Sequence, residues 1–223
     1  MTRNVRKLST PLRGKDPDTP LAFSEFSQVP HLILLGEAGS GKTHLFREQA
    51  TEEKAAYVTA RAFLNVPANK IYGQSLYIDG LDERRAGRGD RDTIDDIVGH
   101  LFEVEPKRVR ISCRIADWLG ETDLAALNTY FIQSSEPVVV VLEALSHDEQ
   151  VEVLGARGAQ ATSALEFLAE AKRRGLDDFL SNPQNLLMLW AVAKDGIWPA
   201  NRGELFELAT RLQDFPDGDR LIS

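Results

Sequence analysis

The chain has little of what builds disulfide-linked or membrane proteins. Cys113 is the single cysteine among 223 residues, so the chain forms no internal disulfide and no thiolate cluster for zinc. No run of about 18 apolar residues occurs, which argues against a membrane-spanning helix, and no signal segment opens the sequence. We therefore expect a cytoplasmic protein without a membrane partner.

An excess of positive charge is also missing. The 26 Lys and Arg residues against 34 Asp and Glu residues leave a net charge of −8, which disfavours a chain that coats nucleic acid. A basic run is formed by Arg84, Arg85, Arg88 and Arg91. It could contact nucleic acid, but a solvated loop is the preferred interpretation.

With 43% hydrophobic residues, the chain can bury a core of one full domain and part of another. Residues 1–30 hold four prolines and Gly14 with little apolar periodicity, which predicts a flexible lead-in or linker outside the core. Five short apolar runs follow, at 31–36, 55–60, 75–80, 108–113 and 137–142. Because amphipathic helical stretches separate them, they predict parallel strands in an α/β core over 31–145.

The pattern becomes helical after Leu142. Ser146 and Glu149 form a potential capping box ahead of the first of several helical stretches. We interpret 146–212 as a helical lid subdomain and 213–223 as a disordered tail.

The strongest motif is GEAGSGKT, which joins the first predicted strand to a helix and matches G-x-x-x-x-G-K-[ST]. Its glycines allow backbone N–H groups to surround phosphate oxygens, Lys42 can reach the β- and γ-phosphates, and Thr43 can ligate Mg²⁺. A plain glycine-rich turn is the alternative, but the flanking strand and helix favour phosphate. The candidate nucleotide-binding residues here are Gly36, Glu37, Ala38, Gly39, Ser40, Gly41, Lys42, Thr43 and His44.

A second motif, SLYIDGLDER, ends an apolar strand in acidic residues. A phosphate-bound Mg²⁺ would offset the desolvation of Asp79, so Thr43 and Asp79 are the candidate metal ligands. Glu83 or Asp82 could orient and deprotonate an attacking water. An acidic loop that caps a helix is the structural alternative.

Together, GEAGSGKT, LYIDGLDE and RVRISCRIADW resemble the NACHT-type members of the STAND class of P-loop ATPases. The resemblance implies a P-loop NTPase three-layer sandwich with a parallel five-stranded sheet of order 5-1-4-3-2, followed by a helical subdomain. It implies one strand between the two that carry the motifs. It also implies slow Mg²⁺-dependent ATP hydrolysis by a switch that cycles between ATP and ADP, forms homo-oligomers on activation and controls an effector, often in antiviral defence.

Two more positions follow from this resemblance. Arg114 matches the family's sensor of the γ-phosphate, although a surface arginine in a salt bridge is the alternative. Pro183 resembles the lid proline beside the base, but proline in the first turn of a helix capped by Asn182 fits equally well. The segment between Gly41 and Gly73 is short for a NACHT core. The chain ends soon after the third lid-like helix, so sensor or effector domains are expected elsewhere in a longer protein.

Other functions remain open at this stage. An AAA-like ATPase working on nucleic acid is one alternative, and a nucleotide-dependent scaffold without turnover is another. The four histidines show no metal-ligand spacing, and Cys113 fits a packing role better than a nucleophile. The three tryptophans are expected to be core or interface anchors: Trp118, Trp190 and Trp198.

Overall fold

The computed structural model describes residues 3–8, 20–85, 90–132, 135–194 and 196–211, with side chains throughout except at 84, 85 and 90–92. The chain forms two compact units, one built mainly from residues up to Glu143 and the other from Ala144 onward. The side chains of the basic run at 84–91 and the predicted tail at 213–223 lie outside this description.

The first unit alternates strands and helices. Its strands are β1 (Asn4–Lys7), β2 (Leu21–Ala22), β3 (His31–Gly36), β4 (Ala56–Thr59), β5 (Ser75–Asp79), β6 (Arg108–Arg114) and β7 (Val138–Leu142). Its α-helices are α1 (Lys42–Glu52), α2 (Ala60–Phe63), α3 (Ala68–Ile71), α4 (Leu81–Arg85), α5 (Asp90–Val104) and α6 (Glu121–Phe131). Single 3₁₀ turns lie at Phe23–Phe26 and Ile115–Asp117.

The strands in the described ranges all belong to one sheet of order β2-β1-β7-β3-β6-β5-β4. The five strands from β3 to β7 are parallel to one another and follow the predicted order 5-1-4-3-2. As implied, β6 lies between β3 and β5, the strands that carry the two motifs. The predicted number of strands was wrong, because the sheet has seven strands and is mixed.

The two additional strands come from the predicted lead-in. Strand β1 pairs antiparallel with β7 and with β2, and Val5 is fully buried between them. Phe23 and Phe26 also pack into the core. The expectation that residues 1–30 lie outside the core is therefore wrong for 3–8 and 20–30, while 9–19 lie outside the described residues. Breaker residues identify turns but do not show which distant strand edge a short segment can pair with.

The sheet buries a different set of side chains on each face. Strand β6 shows this, since Val109, Ile111 and Cys113 enter the apolar cluster on one face. Arg110 and Ser112 alternate with them and point to the other face, as the period of two requires. The interpretation of 108–113 as a continuous apolar run was therefore incomplete, because a fully buried arginine and a serine interrupt it.

The second unit is helical. It contains α7 (His147–Ala156), α8 (Ala161–Arg173), α9 (Asp177–Leu180), α10 (Pro183–Ala193) and α11 (Arg202–Arg211). The predicted capping box of Ser146 and Glu149 is present at the start of α7. Trp190 and Trp198 pack against the core of this unit. Among the helices in the described ranges, none is both long and apolar enough to cross a membrane.

Candidate functional site

The glycine-rich loop connects the carboxyl end of β3 to the first turn of α1. Gly39 and Gly41 have φ values of 71° and 93°, in the left-handed region where a side chain is strained. The loop therefore depends on glycine at these two positions. It also ends at the amino end of an 11-residue helix, where backbone N–H groups are free of helical partners and favour an anion.

Lys42 folds back onto this loop. Its Nζ donates to the carbonyl oxygens of Gly36 and Glu37, each at 2.8 Å. Burial lowers the pKa of Lys42 below its ordinary value; Asp82 and then Asp79 oppose this shift, whereas Arg114 adds to it. Four of the predicted site residues are thus close enough to influence one another electrostatically.

Asp79 ends β5 and is 6% exposed. The Tyr57 hydroxyl donates to its Oδ2 at 2.8 Å, and the Ser112 hydroxyl donates to its Oδ1. Ser112 Oγ also accepts the Gly80 N–H at 2.9 Å. These hydrogen bonds compensate the burial of the carboxylate and fix its orientation.

Asp82 is 8% exposed and binds Arg114 twice. Its Oδ2 lies 2.9 Å from Arg114 Nε, and its Oδ1 accepts the Arg114 backbone N–H at 3.0 Å. The Arg114 side chain is 49% exposed, so it has solvent on one side and a buried carboxylate on the other. Both the sensor position and the salt bridge considered for Arg114 are compatible with this arrangement.

Glu83 is exposed in the first turn of α4. Its carboxyl carbon lies 3.2 Å from the point that a Cβ at residue 80 would occupy. Gly80 itself has φ 74°, where a side chain is strained, and a Cβ there would also make Glu83 shift by a few tenths of an ångström. The local backbone conformation therefore explains why a glycine follows Asp79 ahead of the acidic residues Asp82 and Glu83.

Three other predicted residues lie in the first turns of helices. Thr43 is half-buried and His44 is exposed, both in the first turn of α1. Pro183 occupies the first turn of α10, and the Asn182 side chain accepts from the N–H groups of Gln184 and Asn185. This confirms the helix-capping interpretation of Pro183, while its lid role stays a prediction.

Sequence reasoning missed Tyr57 and Ser112. The strand register could have indicated Ser112, because Ile78 pairs with Ile111 and the next residues along each strand are Asp79 and Ser112. No comparable signal identifies Tyr57, which reaches Asp79 from a strand 22 residues earlier. Only the pairing of β4 with β5 brings them together.

The residues present fit a nucleotide phosphate with Mg²⁺. The loop offers N–H donors and an ammonium group to phosphate oxygens, and Thr43 and Asp79 offer the hard oxygen ligands that Mg²⁺ prefers. Within the described ranges, no group of three or more His, Cys, Asp or Glu side chains could hold a metal ion by itself. Phosphate oxygens and water molecules would therefore have to complete the coordination.

No family model matches the sequence. No curated protein matches it either. Matching solved structures include a single-residue variant of Thermotoga maritima RuvB, with 15% identity and a TM-score of 0.42. Another is the Thermotoga maritima RuvB Holliday junction branch migration motor, with 15% identity and a TM-score of 0.41. In both cases the alignment covers 82% of this chain and 62% of RuvB.

The α/β assignment rests on the strand order and on the loop between β3 and α1.

Proposed function

We propose that the chain is an ATP-binding and ATP-hydrolysing switch module, similar to the nucleotide-binding part of STAND and NACHT proteins. The observation that supports this most is the charge cluster around Lys42, in which Asp79, Asp82 and Arg114 all influence its ammonium group. These residues lie at or just after the carboxyl ends of β3, β5 and β6, which are parallel and meet at one edge of the sheet. This edge is where open α/β sheets bind ligands.

In this proposal Lys42 and the loop N–H groups bind the β- and γ-phosphates. Thr43 and Asp79 hold Mg²⁺, which when bound neutralises charge that develops on the phosphate oxygens. Tyr57 and Ser112 already fix both Asp79 oxygens, so the carboxylate is oriented before any ligand arrives. ATP rather than GTP is proposed from the family resemblance alone.

Glu83 is the proposed base or water-orienting residue. The sequence left Glu83 and Asp82 as alternatives for this role. Since both Asp82 oxygens contact Arg114, Asp82 is better suited to position that arginine, whereas the exposed Glu83 carboxylate can accept a proton from water.

Arg114 is the proposed sensor. Its guanidinium can exchange the Asp82 carboxylate for a γ-phosphate, and that exchange would separate the ATP state from the ADP state. We further propose that the switch works with slow turnover in the cytoplasm, forms homo-oligomers on activation and belongs to a longer defence protein. The trigger and the effector would lie in other domains of that protein.

The test separates binding from chemistry with two variants. Lys42→Ala removes a charge-assisted contact and should weaken ATP binding by about 3 kcal/mol in calorimetry. Glu83→Gln is nearly isosteric and should bind Mg·ATP like the parent while releasing phosphate about 10²-fold more slowly. Lys70→Ala, on an exposed residue in α3, is the matched lysine control and should change neither quantity.

Other outcomes favour other functions. Parental affinity in Lys42→Ala would contradict the phosphate site. Tight binding of ATP by the parent without phosphate release would favour the scaffold, and turnover that depends on DNA would favour the AAA-like ATPase. Parental turnover in Glu83→Gln together with loss in Asp82→Asn would reverse the roles given to these two carboxylates.

A further inference from the structure

We infer that Tyr57 is a positioning residue for the Mg²⁺ site, in which its hydroxyl holds the Asp79 carboxylate in the orientation that favours metal binding. The inference rests on the proposed function, because it concerns how strongly Mg²⁺ contributes to nucleotide affinity. Tyr57 belongs to neither sequence motif.

Strand pairing explains how Tyr57 reaches the site. In the parallel register of β4 and β5, Thr59 pairs with Asp79 and Tyr57 pairs with Tyr77. Residues two apart on a strand share a face, so Tyr57, Thr59 and Asp79 all project to the same side. Tyr57 therefore leans along the strand, and its hydroxyl meets Asp79 Oδ2 at 2.8 Å.

The ring of Tyr57 is itself held in place. The Arg47 guanidinium, on α1, lies 5.3 Å from the ring centroid in a cation–π contact. Helix α1 also carries Lys42 and Thr43, so a single tyrosine links the helix after the phosphate loop to the acidic strand end.

Tyr57 and Ser112 hold Asp79 from opposite sides, because β4 and β6 flank β5. With both hydroxyls present, neither carboxylate oxygen is free to rotate away. Without Tyr57, Oδ2 would lose its described donor, and the carboxylate could turn about its bond to Cβ. Groups that hold a metal-binding carboxylate typically change metal affinity by 10- to 100-fold when they are removed.

The experiment measures the gain in affinity that Mg²⁺ provides. The dissociation constant of a non-hydrolysable ATP analogue is determined by calorimetry with Mg²⁺ and again with EDTA, and the ratio of the two values is compared among variants. We expect Tyr57→Phe to reduce this ratio about tenfold while the affinity in EDTA stays within about twofold of the parent. A tyrosine with only a structural role would not produce this selective loss.

The matched control is Tyr72→Phe. Tyr72 is 58% exposed, and its hydroxyl donates to Glu105 Oε2 at 2.9 Å, so this variant also removes a tyrosine–carboxylate hydrogen bond. Its Mg²⁺ ratio should equal that of the parent. Arg47→Gln is a second test that leaves the hydroxyl in place, and it should lower the ratio by about two- to threefold through loss of the cation–π contact.

The contrary results are distinct. An unchanged ratio in Tyr57→Phe, or equal losses with Mg²⁺ and with EDTA, would overturn the inference and leave the proposed function intact. A parent that does not bind the analogue under either condition would overturn the proposed function and the inference with it. Retained affinity in EDTA shows in the same sample that a variant is folded.

Discussion

Two of the three arginines on one face of β6 have opposite environments. Arg110 lies toward the amino end of the strand and is 2% exposed, whereas the side chain of Arg114, at the carboxyl end, is 49% exposed. The two are four residues apart on the same strand and point to the same side, so neither the residue type nor the strand face explains the difference. Their hydrogen-bond partners explain it.

Arg110 donates to neutral backbone groups. Its guanidinium contacts the carbonyl oxygens of Phe26 at 3.2 Å, Ser27 at 3.0 Å and Pro30 at 3.2 Å. Arg108 adds a bond to the Ser27 carbonyl. These contacts fasten the segment before β3 to the sheet. They add to bonds that the same carbonyls already accept, since the Phe26 and Pro30 carbonyls accept the backbone N–H groups of Val29 and Val109.

Arg114 pairs instead with a carboxylate that lies at the edge of the proposed site. Its partner Asp82 influences Lys42, and solvent reaches the other side of the guanidinium. We expect the buried Arg110, which is held by backbone carbonyls, to stabilise the fold. In the proposed function, the half-exposed Arg114 can exchange its acidic partner for a ligand.

The largest expected effect is the loss of folding stability on substitution of Arg110. Arg110→Ala should lower the free energy of unfolding by about 4 kcal/mol, because three carbonyls lose a charged donor and a cavity remains. Urea denaturation measures this change. Arg114→Ala is the matched control on the same strand face and should lower stability less, by about 2 kcal/mol, because Asp82 is buried but keeps the backbone N–H of residue 114 as a donor. Equal losses in the two variants would contradict the comparison.

A second prediction concerns how stability depends on pH through His31, which begins β3 beside Arg110. Burial, followed by the charge of Arg110, lowers the pKa of His31 from 6.5 to about 4. The folded state therefore disfavours protonated His31. Its contribution to stability is present above pH 6.5 and is lost as the pH falls toward 4, by about 3 kcal/mol if the whole shift is expressed.

Carboxyl groups titrate in the same range, so the test compares variants. The unfolding free energy of the parent and of His31→Gln is measured from pH 7 to pH 4. The parent should lose more stability than the variant, and the difference should develop below pH 6.5. Parallel pH profiles would show that His31 does not carry the effect.

The smallest expected effect is on nucleotide preference, and it tests the role of Arg114 at the carboxyl end of β6. Arg114→Ala should weaken ATP binding about tenfold more than ADP binding, because only ATP carries the γ-phosphate that the arginine would contact. Asp82→Asn removes the competing charge and should shift the preference toward ATP by a few fold. Calorimetry with both nucleotides measures the two changes. Equal weakening of ATP and ADP in Arg114→Ala would indicate a structural role.

Much of the parallel core could be predicted because its signals are local. Two of these signals depend on backbone conformation within a few residues. They are the loop with glycines at 39 and 41 between a strand and a helix, and the capping box at Ser146. The strand order followed from the family resemblance and not from the residues. The position of Asp79 at a strand end could also be predicted, because a carboxylate interrupts the run of apolar residues before it.

By itself, then, the sequence determined where the five parallel strands lie, where the phosphate-type loop turns and which acidic residues end β5. The tertiary structure alone decided that β1 and β2 extend the sheet, that Arg110 holds backbone carbonyls while Arg114 holds Asp82, and that Tyr57 reaches Asp79. Backbone conformation follows from neighbouring residues. Partners 22 to 84 positions apart in the chain are instead chosen by strand pairing and by the requirement that buried polar groups find donors or acceptors.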